Sequence, residues 1–221
     1  MTALETALES ALVCGSIGAA LQYGRQVCAP ASRSRMASKT VSTMLLALLA
    51  ATGGPSWLLT LALGLCAIGD GFLAWPGDAC FLCGLGSFLA AHVCYTLLYC
   101  RLGHGLGSML ALSRLAAAAF LAALTATAVC VLVPRVDKHM KIPIVLYAAT
   151  ILIMALTALT LQNRALVITG SVCLVLSDAV LAADEFLVAT DYQYRSRMQI
   201  FVWLSYYLGQ LLVTSGLTMY R

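Results

Sequence analysis

Residues 57–75 read WLLTLALGLCAIGDGFLAW, a run long and apolar enough to cross the hydrocarbon core of a bilayer as one helix. A second run of this kind, ALVITGSVCLVLSDAVLAA, occupies residues 165–183. Each run contains one carboxylate, Asp70 in the first and Asp178 in the second. Because an ionised side chain inside a membrane costs several kcal/mol, we expect both aspartates to face the interior of a helix bundle and to have a function there.

The composition of the whole chain is that of a polytopic membrane protein. Of its 221 residues, 62% are hydrophobic and 10% are charged, whereas a soluble domain is about 25% charged. We predict an all-α membrane helix bundle of about eight transmembrane helices, forming a single domain over residues 1–221. The predicted spans cover residues 6–24, 38–53, 56–75, 80–100, 108–133, 142–161, 165–187 and 198–219.

Several other classes of site lack support in the sequence. Most of the nine cysteines lie in the apolar segments, where cysteine behaves as a small hydrophobic residue. Cys80 and Cys83 form a CxxC pair, but no second pair follows at zinc-site spacing. The sequence contains no serine-hydrolase elbow, zinc-protease motif or P-loop. It also lacks a basic stripe with interleaved aromatic residues. We therefore expect no metal site and no nucleic-acid partner.

Lysine and arginine residues cluster in alternate connections between the apolar segments. These connections follow the first, fifth and seventh segments and contain Arg25, Arg33, Arg35, Lys39, Arg135, Lys138, Lys141, Arg195 and Arg197. Because positively charged loops remain in the cytosol, we predict that these connections are cytosolic and that both termini lie on the other side of the membrane.

The two aspartates occupy equivalent positions in the predicted bundle. The third and seventh spans run in the same direction, and each aspartate lies about 9–14 Å from the end that faces the basic connections. The sequence GDGFLA at residues 69–74 echoes SDAVLA at residues 177–182, at an offset of 108 residues that also relates Lys39 to Tyr147. This echo leads to the hypothesis of a parallel repeat of four plus four helices, with a site at the seam.

Further polar residues lie in the apolar spans. They are Lys39, His92, Tyr95, Tyr147, Ser177, Tyr206, Tyr207 and Gln210. Taken singly, each is explained by a hydrogen bond between helices, an interfacial tyrosine or a lysine that extends to the membrane surface. Two buried carboxylates at one depth, however, titrate apart, so that one holds a proton while the other is ionised. This arrangement suits acid-catalysed cleavage of an acetal-like or enol-ether bond.

At these residues the sequence resembles the lysoplasmalogenase family, the YhhN-like multipass membrane proteins. The blocks that carry the resemblance are IGDGFLAWPG at 68–77, FLCGLGSFLAAHVCYTL at 81–97, IPIVLY at 142–147, LSDAVLAADEF at 176–186 and YYLGQLLVT at 206–214, with Lys39 entering the second span. The Trp75-Pro76 that follows the first aspartate is most similar to the vertebrate liver-type branch.

The resemblance implies hydrolysis of the vinyl ether bond of lysoplasmalogens to a fatty aldehyde and glycerophosphoethanolamine or glycerophosphocholine, without a metal or organic cofactor. It implies a lysophospholipid substrate, membrane lipids as surroundings and, in animals, the endoplasmic reticulum membrane. Asp70 and Asp178 would share the acid and carboxylate roles. Lys39, His92, Tyr147 and Tyr207 are the candidates for orienting water or binding the headgroup.

Two questions stay open at the level of the sequence. The two aspartates can exchange their roles, and the chain can act alone or as a homo-oligomer. A different class of protein also fits the intramembrane carboxylates, namely a non-enzymatic, proton-coupled transporter of lipids or solutes. If the basic connections are cytosolic, Arg33, Arg35, Arg135, Lys138 and Lys141 are candidates to attract the phosphate of a lysolipid.

Overall fold

The computed structural model describes residues 3–53, 56–189 and 191–218, and this part of the chain contains eight α-helices. The helices are α1 Ala3–Gln26, α2 Arg33–Gly53, α3 Trp57–Leu73, α4 Asp78–Leu102, α5 Leu112–Leu132, α6 Lys138–Ala158, α7 Ala165–Phe186 and α8 Arg195–Thr218. A short 3₁₀ helix, Leu106–Leu110, precedes α5. The predicted all-α bundle is confirmed.

Seven of these helices are long and apolar enough to cross a membrane. The exception is α3, whose 17 residues extend over about 26 Å. It begins after Ser56, whose side chain accepts a hydrogen bond from the backbone N–H of Leu58 at 3.2 Å. It ends before Pro76, because a proline disfavours the helical conformation of the residue that precedes it. Asp70 therefore lies in the last turn of the shortest helix.

The predicted spans differ from the helices mainly at their ends. The helices α2 and α6 begin at Arg33 and Lys138, four to five residues before the predicted spans 38–53 and 142–161. Charged side chains at these ends can extend toward water while their backbone stays helical. The predicted span 108–133 begins too early, because residues up to Leu110 form the 3₁₀ helix.

Glycines bring the helices of two neighbouring pairs close together. A Cβ atom at Gly69 of α3 would lie 2.7 Å from the ring of Phe88 on α4. A Cβ atom at Gly170 of α7 would lie 2.8 Å from the carbonyl oxygen of Gly209 on α8. Close approach at small residues is a common basis for helix packing in membranes, where helices gain no hydrophobic energy by association.

The two halves of the chain, α1–α4 and α5–α8, make corresponding contacts. The second and third helices pack together in each half, and so do the third and fourth. Between the halves, α4 packs against α6 and α8 packs against α2. The fourth helix of each half thus packs against the second helix of the other half. A parallel four-plus-four repeat requires such corresponding contacts within the two halves, whereas the crossing of α4 and α8 is not part of that hypothesis.

Candidate active site

A cavity of about 370 Å³ opens at the end of the bundle where the α1–α2, α3–α4 and α7–α8 connections meet. Asp70 and Asp178 both line it, together with Lys39 and Tyr206. The structure thus brings the two aspartates of the equivalent third and seventh helices to one cavity. We call it the polar cavity.

Asp70 is fully buried and has three polar neighbours from two other helices. Thr43 of α2 and Tyr206 of α8 each donate a hydroxyl hydrogen bond to its Oδ2 atom, both at 2.7 Å. The Nζ atom of Lys39 lies 3.4 Å from Oδ1. Donors and a cation around a carboxylate stabilise its ionised form. Asp70 therefore lies among three groups that favour a negative charge on its side chain.

The two glycines that flank Asp70 allow this arrangement. On one side, Gly69 leaves room for the ring of Phe88 on α4. On the other side, a Cβ atom at Gly71 would lie 3.3 Å from the hydroxyl oxygen of Thr40 on α2. Because α3 can approach α4 and α2 closely, the short aspartate side chain reaches Lys39 and Thr43.

Asp178 has fewer polar neighbours. Tyr147 of α6 donates a hydrogen bond of 2.5 Å to its Oδ2 atom. The Nε2 atom of His92 on α4 lies 3.9 Å from the same oxygen, which is longer than a hydrogen bond. The rings of His92 and Tyr147 meet edge to face, with their centroids 5.4 Å apart. Tyr147 and His92 thus form one wall beside Asp178.

A second cavity of about 80 Å³ lies between α4, α5, α6 and α7, and we call it the apolar slot. Its walls are almost entirely aliphatic and aromatic, with Leu124, Ile144, Ala148 and Ile151 among them. Asp178 lines both the slot and the polar cavity. The side chains of Leu73, Phe81, Phe88 and Leu181 also line both. Asp178 therefore lies where a polar and an apolar compartment meet.

The structure brings three of the four further predicted residues to the carboxylates. Lys39 lies at Asp70, and Tyr147 and His92 lie at Asp178. Tyr207 lies elsewhere, because its hydroxyl is 2.8 Å from the Oγ atom of Ser16 on α1. The adjacent Tyr206 takes the place at Asp70. Consecutive helical residues point about 100° apart, and the pair of tyrosines gives no signal of which one faces the site.

Two more residues at the site received no functional role from the sequence. Thr43 had no distinguishing pattern, since threonine is common in membrane helices and only its position opposite Asp70 makes it a donor. Arg195 served only to predict the orientation, although it lines the polar cavity. Of the five basic residues expected at the mouth, Arg35 lines this cavity.

The sequence profile of the YhhN family matches residues 34–217, a region that contains both aspartates and every residue named at them. The chain belongs to the YhhN family. Two relatives named lysoplasmalogenase, from Mycobacterium bovis and Mycobacterium tuberculosis, are each 30% identical to it over 171 residues. The aligned region covers 72% of this chain and 59% of each relative. The chain thus spans less than two thirds of the length of these relatives. No solved structure matches it.

The family region takes in seven of the eight described helices. The family match begins at residue 34, the second residue of α2, so α1 lies outside it. The polar cavity and the apolar slot are nevertheless built mainly from α2 to α8. The family region therefore contains most of the residues that line the two cavities.

Proposed function

We propose that this YhhN-family protein is a lysoplasmalogenase that hydrolyses the vinyl ether bond of alkenyl-glycerophosphoethanolamine or alkenyl-glycerophosphocholine. The observation that carries the proposal is the position of Asp178 at the junction of the polar cavity and the apolar slot. The vinyl ether of a lysoplasmalogen also lies at such a junction, between a hydrocarbon chain and a polar glycerol headgroup. The names of the mycobacterial relatives support the same activity.

In the proposed reaction Asp178 is the acid. Its proton adds to the β-carbon of the vinyl ether, and the electron pair of the double bond forms the new C–H bond. The ether oxygen shares the resulting positive charge with the neighbouring carbon as an oxocarbenium ion. Asp178 has Tyr147 as its one hydrogen-bond donor in the described part of the chain and lies beside the apolar slot. These surroundings suit a carboxyl group that arrives protonated.

Asp70 acts as the ionised carboxylate in this proposal. With Thr43, Tyr206 and Lys39 around it, it provides a fixed negative charge in the cavity where the cation forms. A water molecule adds to the cationic carbon and gives one proton to the Asp178 carboxylate, which restores the acid and yields a hemiacetal. The bond between the hemiacetal carbon and the glycerol oxygen then breaks, the hemiacetal hydroxyl becomes the aldehyde carbonyl, and its proton goes to the glycerol oxygen. The products are a fatty aldehyde and the glycerophosphoryl headgroup, and one water molecule is consumed.

The proposal includes a location and an orientation. By the family resemblance, the protein resides in the endoplasmic reticulum membrane and takes its lysophospholipid substrate from the surrounding bilayer. By the charge of the connections, the mouth of the polar cavity faces the cytosol. The substrate would then enter from the cytosolic leaflet.

The direct test is release of aldehyde by the purified, detergent-solubilised chain from an alkenyl-glycerophosphoethanolamine, without ATP. We expect catalytic turnover of this substrate. Two matched control substrates are the saturated alkyl ether, which lacks the double bond, and the acyl ester of the same chain length, and neither should give aldehyde. Absence of aldehyde from the vinyl ether, combined with uptake of lipid or solute into vesicles that contain the protein, would favour the transporter instead.

A further inference from the structure

Arg195, the first residue of α8, lines the polar cavity at its mouth. Its Nε atom is 3.1 Å from the Oδ1 atom of Asp184 near the end of α7. Asp184 is only 5% exposed, and Gln199 donates a hydrogen bond of 3.4 Å to its other oxygen. A nearly buried carboxylate thus lies as an ion-pair partner beside the Nε edge of the guanidinium group.

The outer end of this guanidinium group remains available. In the described part of the chain, the two terminal nitrogen atoms of Arg195 have no hydrogen-bond partner. The side chain is 21% exposed and lines the polar cavity. A guanidinium group presents its N–H groups as a planar fork that matches two oxygens of a phosphate. The free edge of Arg195 is therefore suited to a phosphate in the cavity.

The other cations of the cavity are already engaged. Lys39 lies at Asp70. Arg35 donates hydrogen bonds to the carbonyl oxygens of Ala74 and Val27, at 3.0 and 3.3 Å. Glu185 adds a negative charge to the same wall as Asp184. The cavity therefore has no general excess of positive charge. Binding of an anion would then depend on a cationic side chain whose N–H groups point toward the anion.

Asp184, the ion-pair partner of Arg195, lies on the same helix as Asp178. Asp184 follows Asp178 by six residues on α7, which separates them by about 9 Å along the helix axis. In a lysoplasmalogen, the glycerol backbone separates the vinyl ether from the phosphodiester. With the chain in the apolar slot and the vinyl ether at Asp178, the headgroup extends along α7 toward Arg195.

We propose that Arg195, oriented by Asp184, binds the phosphodiester of the lysolipid headgroup. The identity of this ligand rests on the proposed function, whereas the site itself is defined by the geometry. Arg195 is the residue that contacts the phosphate, and Asp184 is a positioning residue that acts through it. This assignment differs from the candidates drawn from the sequence, since Arg195 was not among them.

The test measures binding and does not require turnover. Two ligands with the same saturated chain are compared on the full-length protein in nanodiscs, an alkyl ether of glycerophosphoethanolamine and the corresponding alkylglycerol without phosphate. We expect the wild-type protein to bind the phosphate ligand more tightly. Arg195→Gln should lower the affinity for this ligand at least about 10-fold, because a hydrogen-bonded charge is lost. It should leave the affinity for alkylglycerol unchanged.

Three further variants separate orientation from charge. Arg195→Lys keeps the charge but loses the planar fork, and it should restore only part of the affinity for the phosphate ligand. Asp184→Asn should lower the affinity for the phosphate ligand alone, by less than Arg195→Gln does. The matched control is Arg197→Gln, since Arg197 lies on the same helix, stacks over Tyr194 and does not line the cavity. It should bind both ligands as the wild type does.

The results that would overturn the proposal are specific. Equal affinity of the wild-type protein for both ligands would remove the phosphate site. An equal loss of affinity for both ligands in Arg195→Gln would show damage to the fold. A loss of affinity for the phosphate ligand in Arg197→Gln as large as that in Arg195→Gln would show a general charge effect. Headgroup binding through Arg195 in a protein that releases no aldehyde would refute the proposed hydrolase and leave the phosphate site standing.

Discussion

Asp70 and Asp178 lie in one cavity but have different surroundings, and their proposed roles follow from this difference. Asp70 has two hydroxyl donors and an ammonium group around it. Asp178 has one hydroxyl donor and borders the apolar slot. The first environment suits a fixed charge, and the second suits a proton donor next to a hydrocarbon chain.

We predict that Asp70→Asn and Asp178→Asn each lower aldehyde release by at least about 100-fold, because loss of a positioned acid or charge commonly costs that much. Both variants should still insert and purify, since asparagine keeps the shape of the side chain. Rates are compared at equal amounts of protein. Asp137→Asn is the control, because Asp137 is exposed and lines neither cavity. Near-wild-type turnover in either test variant would rule out the carboxylate pair.

The adjacent tyrosines of α8 provide a matched pair of variants. Tyr206→Phe removes a hydroxyl donor to Asp70 and should lower kcat/KM about 10-fold or more, since hydrogen bonds to charged groups are the stronger ones. Tyr207→Phe removes a contact with Ser16 and should leave kcat/KM close to that of the wild type. The reverse order of effects would place Tyr207 at the reacting groups.

At this scale the sequence predicts which residues matter better than where they point. Asp70 and Asp178 stand out because a carboxylate in an apolar span is costly. The choice between Tyr206 and Tyr207 depends on the rotation of α8, which is set by packing against α7 at Gly209. Arg195 becomes recognisable only when the end of α7 and the start of α8 come together at the cavity.

At the scale of the helices, the close crossing of α3 and α4 controls the shape of the site. A methyl group at Gly69 would press against Phe88, whose ring packs edge to face on Tyr206. We predict that Gly69→Ala lowers both the Tm and the activity, because overpacking costs about 1–3 kcal/mol. Gly64→Ala is the control on the same helix, since a Cβ atom there meets nothing within 4 Å. Alanine favours the helix more than glycine does, so a Tm loss of equal size in Gly64→Ala would contradict the assignment of the effect to the crossing with α4.

The apolar slot makes a prediction about chain length. Ala148 of α6 lines this slot, and Ala148→Phe should fill part of it. We expect the ratio of kcat/KM for a long-chain over a short-chain substrate to fall about 10-fold or more. The reason is that loss of one methylene contact in a hydrophobic pocket costs about 1–3 kcal/mol of binding free energy. Ala149→Phe adds the same side chain at an exposed position outside the slot and should keep the wild-type ratio. An unchanged ratio in Ala148→Phe would mean that the alkenyl chain lies elsewhere.

The existence of the helices could be predicted from composition, whereas their ends could not. The number of apolar runs gave the eight helices because each must satisfy its own backbone hydrogen bonds in lipid. The start of α5 was misplaced because residues 106–110 are apolar and yet form a 3₁₀ helix. The start of α6 was misplaced in the other direction, because Lys138 and Lys141 are helical although they are charged.

At the scale of the whole molecule, the two halves cross over each other to build one site. The first half contributes Asp70 and the second half contributes its donor Tyr206. Conversely, the second half contributes Asp178 and the first half contributes His92 beside it. The repeated sequence around the aspartates predicted a site at the seam. The crossed exchange of α4 and α8 was not predictable, because it depends on contacts between residues far apart in the chain.

Acid-catalysed hydrolysis at these carboxylates is tested most directly by turnover of an alkenyl-glycerophosphoethanolamine in D₂O, followed by mass spectrometry of the aldehyde. Protonation of the β-carbon must place one solvent deuteron on the carbon next to the aldehyde group. We expect the wild-type protein to release singly deuterated aldehyde, with a rate lowered by the heavier solvent, and Asp178→Asn to release almost none. Aldehyde without deuterium, or undiminished release of deuterated aldehyde by Asp178→Asn, would contradict proton transfer from Asp178 as the step that cleaves the vinyl ether.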